Sequence, residues 1–192
     1  LTGAVCCLGL WGPAARDILA PVADGDIAFG YLRVGELRVK GIPVTALRVS
    51  YAGELGWDLT AAFDLPPQQH HNWKFLQFGP DGKLYVPFGA PCNICDPPPE
   101  YAQIRRYNPD GSGMEVVARG VRNSVGFDFH PRTKELWFTD NGRDWLNDDG
   151  PEEELNRVTR VGEFFGFPYC HANGIPDPDV SKPNPCEGVT KP

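Results

Sequence analysis

Two stretches decide the fold: Phe78-Gly79-Pro80-Asp81-Gly82-Lys83-Leu84-Tyr85-Val86 and Phe129-His130-Pro131-Arg132-Thr133-Lys134-Glu135-Leu136-Trp137-Phe138. Each sets a turn between two apolar runs, and the two align. Pro80 pairs with Pro131 at an offset of 51, and one extra turn residue makes the Leu84–Leu136 offset 52. The register continues outward. Ile104-Arg105-Arg106-Tyr107 pairs with Leu155-Asn156-Arg157-Val158, and His71-Asn72 with Arg122-Asn123, again at 51. The turns at Pro80-Asp81-Gly82 and Pro109-Asp110-Gly111 have a mechanism: Pro presets φ, Asp bonds its own backbone, and Gly accepts φ > 0. These segments lack the 3.6-residue period of a helical solenoid. Short strands between turns, recurring at about 50 residues, predict the blades of a β-propeller.

The repeat has a consequence for function. Blades are related by rotation, so equivalent positions sit at equal height around one axis. His71 and Arg122 are equivalent. Both are expected to point toward the central channel at one end, as a proton acceptor and an anion-stabilising partner.

Bulk properties set the bounds. The chain has 192 residues, 41% hydrophobic and 22% charged, with 22 Gly and 20 Pro. Such Gly and Pro content favours a turn-rich, mostly β architecture. The net charge of −7 argues against nucleic acid as a partner. No apolar run approaches the ~20 residues of a membrane span. The chain begins at Leu1 and shows no signal-peptide pattern, which suggests a processed chain or a fragment. Acidic residues cluster between Asp140 and Glu154, as a solvated loop or a divalent-cation site. Cys6 and Cys7 read as small core residues. Cys92-Asn93-Ile94-Cys95 has no second pair at zinc-finger spacing, which leaves a loop disulfide or two inert thiols. Cys170 and Cys186 bracket a Pro-rich loop and are a second candidate bridge.

The character changes near Leu59–Phe63. Residues 1–61 carry a helix-start signal at Pro13, with Ala14, Ile18 and Leu19 on one expected face. Alternating runs follow over Glu36–Val39 and Val44–Ser50, with Gly41-Ile42-Pro43 as the expected hairpin. The fold class is therefore mainly β: two to three blades of a partial six-bladed propeller over 62–192, preceded by a small α+β fragment over 1–61.

Leu10-Trp11-Gly12-Pro13-x-Ala15-Arg16 and Arg48-Val49-Ser50-Tyr51-x-Gly53-Glu54-Leu55-Gly56-Trp57 resemble the aminomethyltransferase family. That family includes the T-protein of glycine cleavage, and its domain recurs at the C-terminal end of dimethylglycine- and sarcosine-type dehydrogenases. The resemblance implies a folate contact for Glu54. The segment is shorter than that domain, and the family's catalytic Asp lies upstream of anything present. A surface carboxylate is therefore the better expectation for Glu54.

The second segment resembles the PQQ-dependent sugar dehydrogenases, the soluble glucose enzymes and more closely their L-sorbosone dehydrogenase-like relatives. The motifs are His70-His71-Asn72-Trp73-Lys74-Phe75, Gly79 to Tyr85, Gly89-Ala90-Pro91-Cys92-Asn93-Ile94-Cys95, Gly120-Val121-Arg122-Asn123-Ser124-Val125-Gly126-Phe127, and Trp137 to Asp144. Glu154-Leu155-Asn156-Arg157 and Phe165 to Cys170 continue the match over about 130 residues. The resemblance implies His71 as general base, with Arg122 and the adjacent Asn123 at the quinone. It implies Gly142 and Arg143 beside a cofactor-side calcium, and Glu153 and Glu154 near a structural one. Ala90 stands where the glucose enzymes carry an Asp that supports the base, while the sorbosone-like branch shares Gly-Ala-Pro-Cys.

The implied activity is oxidation of an aldose or sugar aldehyde by hydride transfer to PQQ, with Ca2+ polarising the quinone and a further acceptor for reduced PQQ. The implied setting is periplasmic or secreted. A six-bladed propeller takes roughly 300 residues, so the chain is expected to be a fragment, inactive alone. Two alternatives stand beside this. One is a folate-dependent aminomethyltransferase or the tail of a dimethylglycine/sarcosine-type dehydrogenase. The other is a non-catalytic propeller binding module, which would have no use for the His71 and Arg122-Asn123 constellation. His70, His130 and His171 are expected to be structural. Asp140, Asp144, Asp148 and Asp149 are expected in a solvated loop or at calcium. Phe129, Trp137 and Phe138 are read as blade core, and Arg105 and Arg106 as strand-surface charges.

Overall fold

The computed structural model describes residues 5–50, 55–62, 70–71, 74–109, 111–144, 148 and 150–190. The chain divides into two compact units, residues 1–67 and 68–192.

The first unit holds β1 (Val5–Trp11), α1 (Ala15–Leu19), β2 (Ala23–Asp24), β3 (Val34–Val39), β4 (Ile42–Arg48) and β5 (Gly56–Ala62). Its strands form one sheet in the order β1-β5-β4-β3-β2, with every neighbouring pair antiparallel. The β3–β4 hairpin turns through Lys40 and Gly41, both at positive φ, with Val39 paired to Ile42. Two residues at positive φ between paired strands match the right-handed strand twist. The turn therefore lies ahead of the expected Gly41-Ile42-Pro43, and Pro43 sits inside β4. The helix buries Ala15 and Leu19 but leaves Ile18 57% exposed. Spacing of four stacks Ala15 under Leu19, and Ile18 is rotated off that face. Trp57 is fully buried among Leu37, Val44, Ala46 and Leu59. The Arg16 and Arg48 guanidinium groups lie 5.7 and 5.9 Å from its ring centroid, an attraction that adds to apolar burial. Cys7 is an exposed free thiol rather than a core residue. Its alternate strand face points away from the packed side.

The second unit holds β6 (Gln77–Phe78), β7 (Leu84–Phe88), β8 (Gln103–Tyr107), β9 (Glu115–Arg119), β10 (Phe127–Phe129), β11 (Leu136–Asp140), β12 (Glu154–Arg157), β13 (Glu163–Phe164), β14 (Cys170–His171) and β15 (Ile175–Pro176). β6 to β9 form an up-and-down antiparallel meander, and β10 to β12 form the next. β13 adds to the far edge of the first, parallel to β9. Consecutive meanders of this kind are what propeller blades consist of. The repeat is visible as direct contact. Gln77 bonds Asp128 and Asn93 bonds Asp144, each partner 51 residues away. Equivalent positions of successive blades are thus neighbours, as rotation about one axis requires.

Tyr85, Ile104 and Val117 from the first sheet pack with Phe127, Leu136 and Phe138 from the second. Phe138 is fully buried and meets Phe165 edge-on at 4.9 Å. Truncating such a buried aromatic to Ala costs about 3–5 kcal/mol. The Pro80-Asp81-Gly82 turn forms as expected. Gly82 has φ +74, its N–H donates to the Gly79 carbonyl, and the Asp81 carboxylate accepts from the Lys83 N–H at 3.1 Å. Arg106 is no free surface charge. It bonds Asp81 and Glu115 at 2.9 and 2.6 Å and the Tyr85 hydroxyl at 3.1 Å. Disulfides join Cys92 to Cys95 and Cys170 to Cys186. Among the described residues, no helix is long and apolar enough to cross a membrane.

Candidate functional site

The loops after β7 and β9 meet the short His70–His71 turn. Gly89 makes this possible: a Cβ there would lie 2.5 Å from the His71 Cβ and 3.2 Å from the Arg122 carbonyl oxygen. The Ala90 N–H donates to the Arg122 carbonyl at 2.7 Å, and the Ala90 carbonyl bonds His71 Nδ1 at 2.7 Å. The backbone of Ala90 thus joins the two residues that the repeat singled out. A carbonyl can only accept, so His71 carries its proton on Nδ1. Nε2 is left with a free lone pair. Burial is the main influence holding the His71 pKa below its ordinary 6.5, with the nearby Arg122 charge adding to it and the Ala90 bond opposing it. The imidazole is neutral at pH 7 and able to take a proton. His70 lies edge-on to it, with ring centroids 5.0 Å apart.

Arg122 is 4% exposed. Its Nε donates to the Asn93 carbonyl at 2.8 Å, Nη2 to Asn93 Oδ1 at 2.7 Å, and Nη1 to the Asn141 carbonyl at 3.0 Å. The carboxylate of Asp144, itself 62% exposed, lies 3.5 Å from Nη2. A guanidinium has five N–H groups, so a second donor on Nη1 remains for a ligand oxygen, while Nη2 faces Asn93 and Asp144. The charge is desolvated, fixed and next to a neutral base. That combination fits an electron-accepting carbonyl such as a quinone's.

Beneath Arg122 lies a residue assigned above to a solvated loop or to calcium. Asp140 is 6% exposed, and its two oxygens accept the backbone N–H groups of Arg122 and Asn123 at 2.9 and 2.7 Å. Burial pushes its pKa up to about 8, against those two bonds. Asp140 is therefore a buried backbone clamp and has no lone pairs turned to solvent.

The calcium expectations fare differently. The Gly142 N–H donates to Glu153 Oε2 at 2.8 Å. Arg143 is turned to Asp177 and Asp179, at 2.8 Å each. Glu154 bonds Asn156 and lines a cavity of about 150 Å³ with Phe165, His171 and Thr190. Burial raises its pKa. Among the described residues, no group of three or more His, Cys, Asp or Glu side chains is placed to hold a metal ion. Calcium takes six to eight oxygens, and the backbone carbonyls of the Gly142-Arg143 loop are the ligands that the resemblance implies. Asn72, Asp149 and Glu54 lie outside the described residues.

His130 keeps its turn role, with Nδ1 accepting from the Thr133 N–H at 3.1 Å. His171 is not in an open loop. It is 7% exposed, with Nε2 2.7 Å from the Asp177 carboxylate that also holds Arg143. Burial alone would raise the Asp177 pKa, but the bonds from His171, Arg143 and two backbone N–H groups outweigh it and lower it. Asn93 and Asp177 are the members that sequence reasoning left without a role. The alignment of Asn93 with Asp144 at 51 was the one available signal.

Comparison with known proteins gives several partial likenesses. The chain is similar to an uncharacterised protein of Borreliella burgdorferi (strain ATCC 35210 / DSM 4680 / CIP 102532 / B31), 44% identical over 102 residues, which are 53% of this chain and 27% of that one. Human mitochondrial dimethylglycine dehydrogenase is 44% identical over 62 residues, 31% of this chain and 7% of the enzyme. The chain thus spans well under half of the curated relatives it matches. Among solved structures it is similar to a glucose dehydrogenase, with a TM-score of 0.46 and 17% identity, covering 99% of this chain and 53% of that one. Both resemblances read from the sequence recur among these likenesses, and residues 1–78 match the family described as the GCVT N-terminal domain.

Proposed function

We propose that the second unit carries the proton-accepting site of an oxidoreductase that oxidises a hydroxyl-bearing carbon of an aldose or sugar aldehyde. The observation that carries this is the tautomer of His71, whose Nδ1–H is committed to the Ala90 carbonyl. Nε2 is then the base that takes the substrate hydroxyl proton. PQQ, when bound, supplies the two-electron acceptor for the hydride. Arg122 holds a fixed positive charge where negative charge develops, and burial strengthens it. No step is assigned to calcium. Two disulfides suit an oxidising compartment, which supports a periplasmic or secreted setting. The first unit supports a second reading, folate-linked aminomethyl transfer or the tail of a methylglycine-type dehydrogenase, carried by the match over residues 1–78.

The test is aldose-dependent dye reduction by the full chain with added PQQ, beside PQQ absorbance and melting. For a chain expected to be inactive alone, the expected result is PQQ binding, seen as a melting shift with altered absorbance and lost in His71→Ala with Arg122→Ala, and any turnover reduced at least ~100-fold in His71→Ala. The neutral imidazole keeps the rate on its plateau down to below pH 6.5. PQQ binding with turnover that is independent of His71 overturns the role of the base, and absence of binding overturns the quinone reading.

A further inference from the structure

We propose that Asn93 is the positioning residue that sets the Arg122 guanidinium beside His71, and that the Cys92–Cys95 bridge fixes Asn93 for this task. The inference rests on the reading of His71 and Arg122 as a working pair.

Four hydrogen bonds converge on this residue. Its carbonyl takes the Arg122 Nε–H at 2.8 Å, and Oδ1 takes the Nη2–H at 2.7 Å. Oδ1 also accepts the Asp144 N–H at 2.8 Å, and Nδ2 donates to the Asp144 carbonyl at 3.2 Å. One residue thus grips the Nε–Nη2 edge of the guanidinium with both its acceptors. It also ties that edge to the equivalent loop of the next blade. The choice of an amide has a chemical reason. A carboxylate at this place would add a second anion to the one that Asp144 already sets 3.5 Å from Nη2, whereas an amide orients the guanidinium without adding charge.

The bridge supplies rigidity. Cys92 and Cys95 flank Asn93 with a separation of three residues and Cα atoms 6.2 Å apart. A short loop closed this way has few alternative conformations through which Asn93 could swing off the guanidinium. The loop also packs inward, since Cys92 and Ile94 lie against Ala90, Ala102 and Phe167. The same Ala90 joins His71 to Arg122. Anchor, cation and base therefore share one rigid frame.

The experiment follows His71 by NMR titration in the full chain, beside melting curves. Wild type is compared with Asn93→Ala and with Cys92→Ser/Cys95→Ser. Release of Arg122 removes a fixed cation from the imidazole, so the His71 pKa rises in both variants toward the ordinary value of about 6.5. An unchanged His71 pKa in a folded Asn93→Ala variant overturns the proposal. Should that variant fail to fold, an unchanged pKa in the double-serine variant does so. A merely structural role for Asn93 lowers melting without moving the titration. If wild-type His71 itself titrates at or above 6.5, the neutral-base reading fails. The clamp is still judged by the difference between variant and wild type.

Discussion

Asp140→Asn isolates a deeply buried carboxyl of the second unit. Asp140 is 6% exposed and accepts two backbone N–H groups, yet burial holds its pKa at about 8. In the unfolded chain it titrates near the ordinary 3.8. A carboxyl whose folded pKa is raised stabilises the fold fully below the unfolded pKa, and that contribution is lost as pH rises through the folded value. The window therefore runs from about pH 4 to about pH 8. At roughly 1.4 kcal/mol per pH unit, the gap amounts to on the order of 6 kcal/mol at most. Typical domains have 5–15 kcal/mol in all. Asparagine mimics the protonated form. It keeps one acceptor, leaving at worst one buried N–H unpaired at about 1–3 kcal/mol. Urea unfolding at pH 4, 7 and 9 should show the wild type losing stability relative to Asp140→Asn as pH rises, with the variant overtaking it by about pH 6, where the loss matches the cost of the unpaired N–H. Taking the difference between the two removes every other titrating group from the comparison. Parallel pH profiles would refute the reasoning. They would mean that the two N–H donors keep Asp140 ionised throughout, as a pure anion clamp.

Gly89→Ala tests the close approach that seats the base. The new Cβ meets the His71 Cβ at 2.5 Å, so His71 should lose its Nδ1 bond and its lowered pKa while the sheets stay folded, read by NMR titration with circular dichroism as control. Cys170→Ser/Cys186→Ser opens a loop with a sequence separation of 16. It should destabilise the second unit by about 3 kcal/mol in denaturant unfolding, without moving the His71 titration.

The repeat was legible because strand and turn chemistry are local. Pro80-Asp81-Gly82 announces its own hairpin, and the offset of 51 needs only alignment. It even located His71 and Arg122 together, since equivalent positions of successive blades are neighbours in space. The charges were not legible in the same way. Asp140 sits in an acidic stretch that reads as solvated, and its burial is set by the return of β9 into the Arg122 loop, a contact between residues 18 positions apart. Arg143 reads as a neighbour of the cofactor loop, but Asp177 and Asp179, more than 30 residues on, claim its guanidinium. Ile18 was misplaced for a simpler reason. A helix of five residues has too few turns for its apolar face to declare itself. Local patterns thus fixed where the backbone goes, while the partner of each ion depended on contacts that only the closed fold supplies. The site follows the same division. His71 needs no charged partner because a backbone carbonyl sets its tautomer. That carbonyl belongs to Ala90, a residue whose side chain bonds to nothing. The Ala90 side chain matters instead for packing, fully buried against Ala102 and Phe167, while the close approach at Gly89 sets the backbone path.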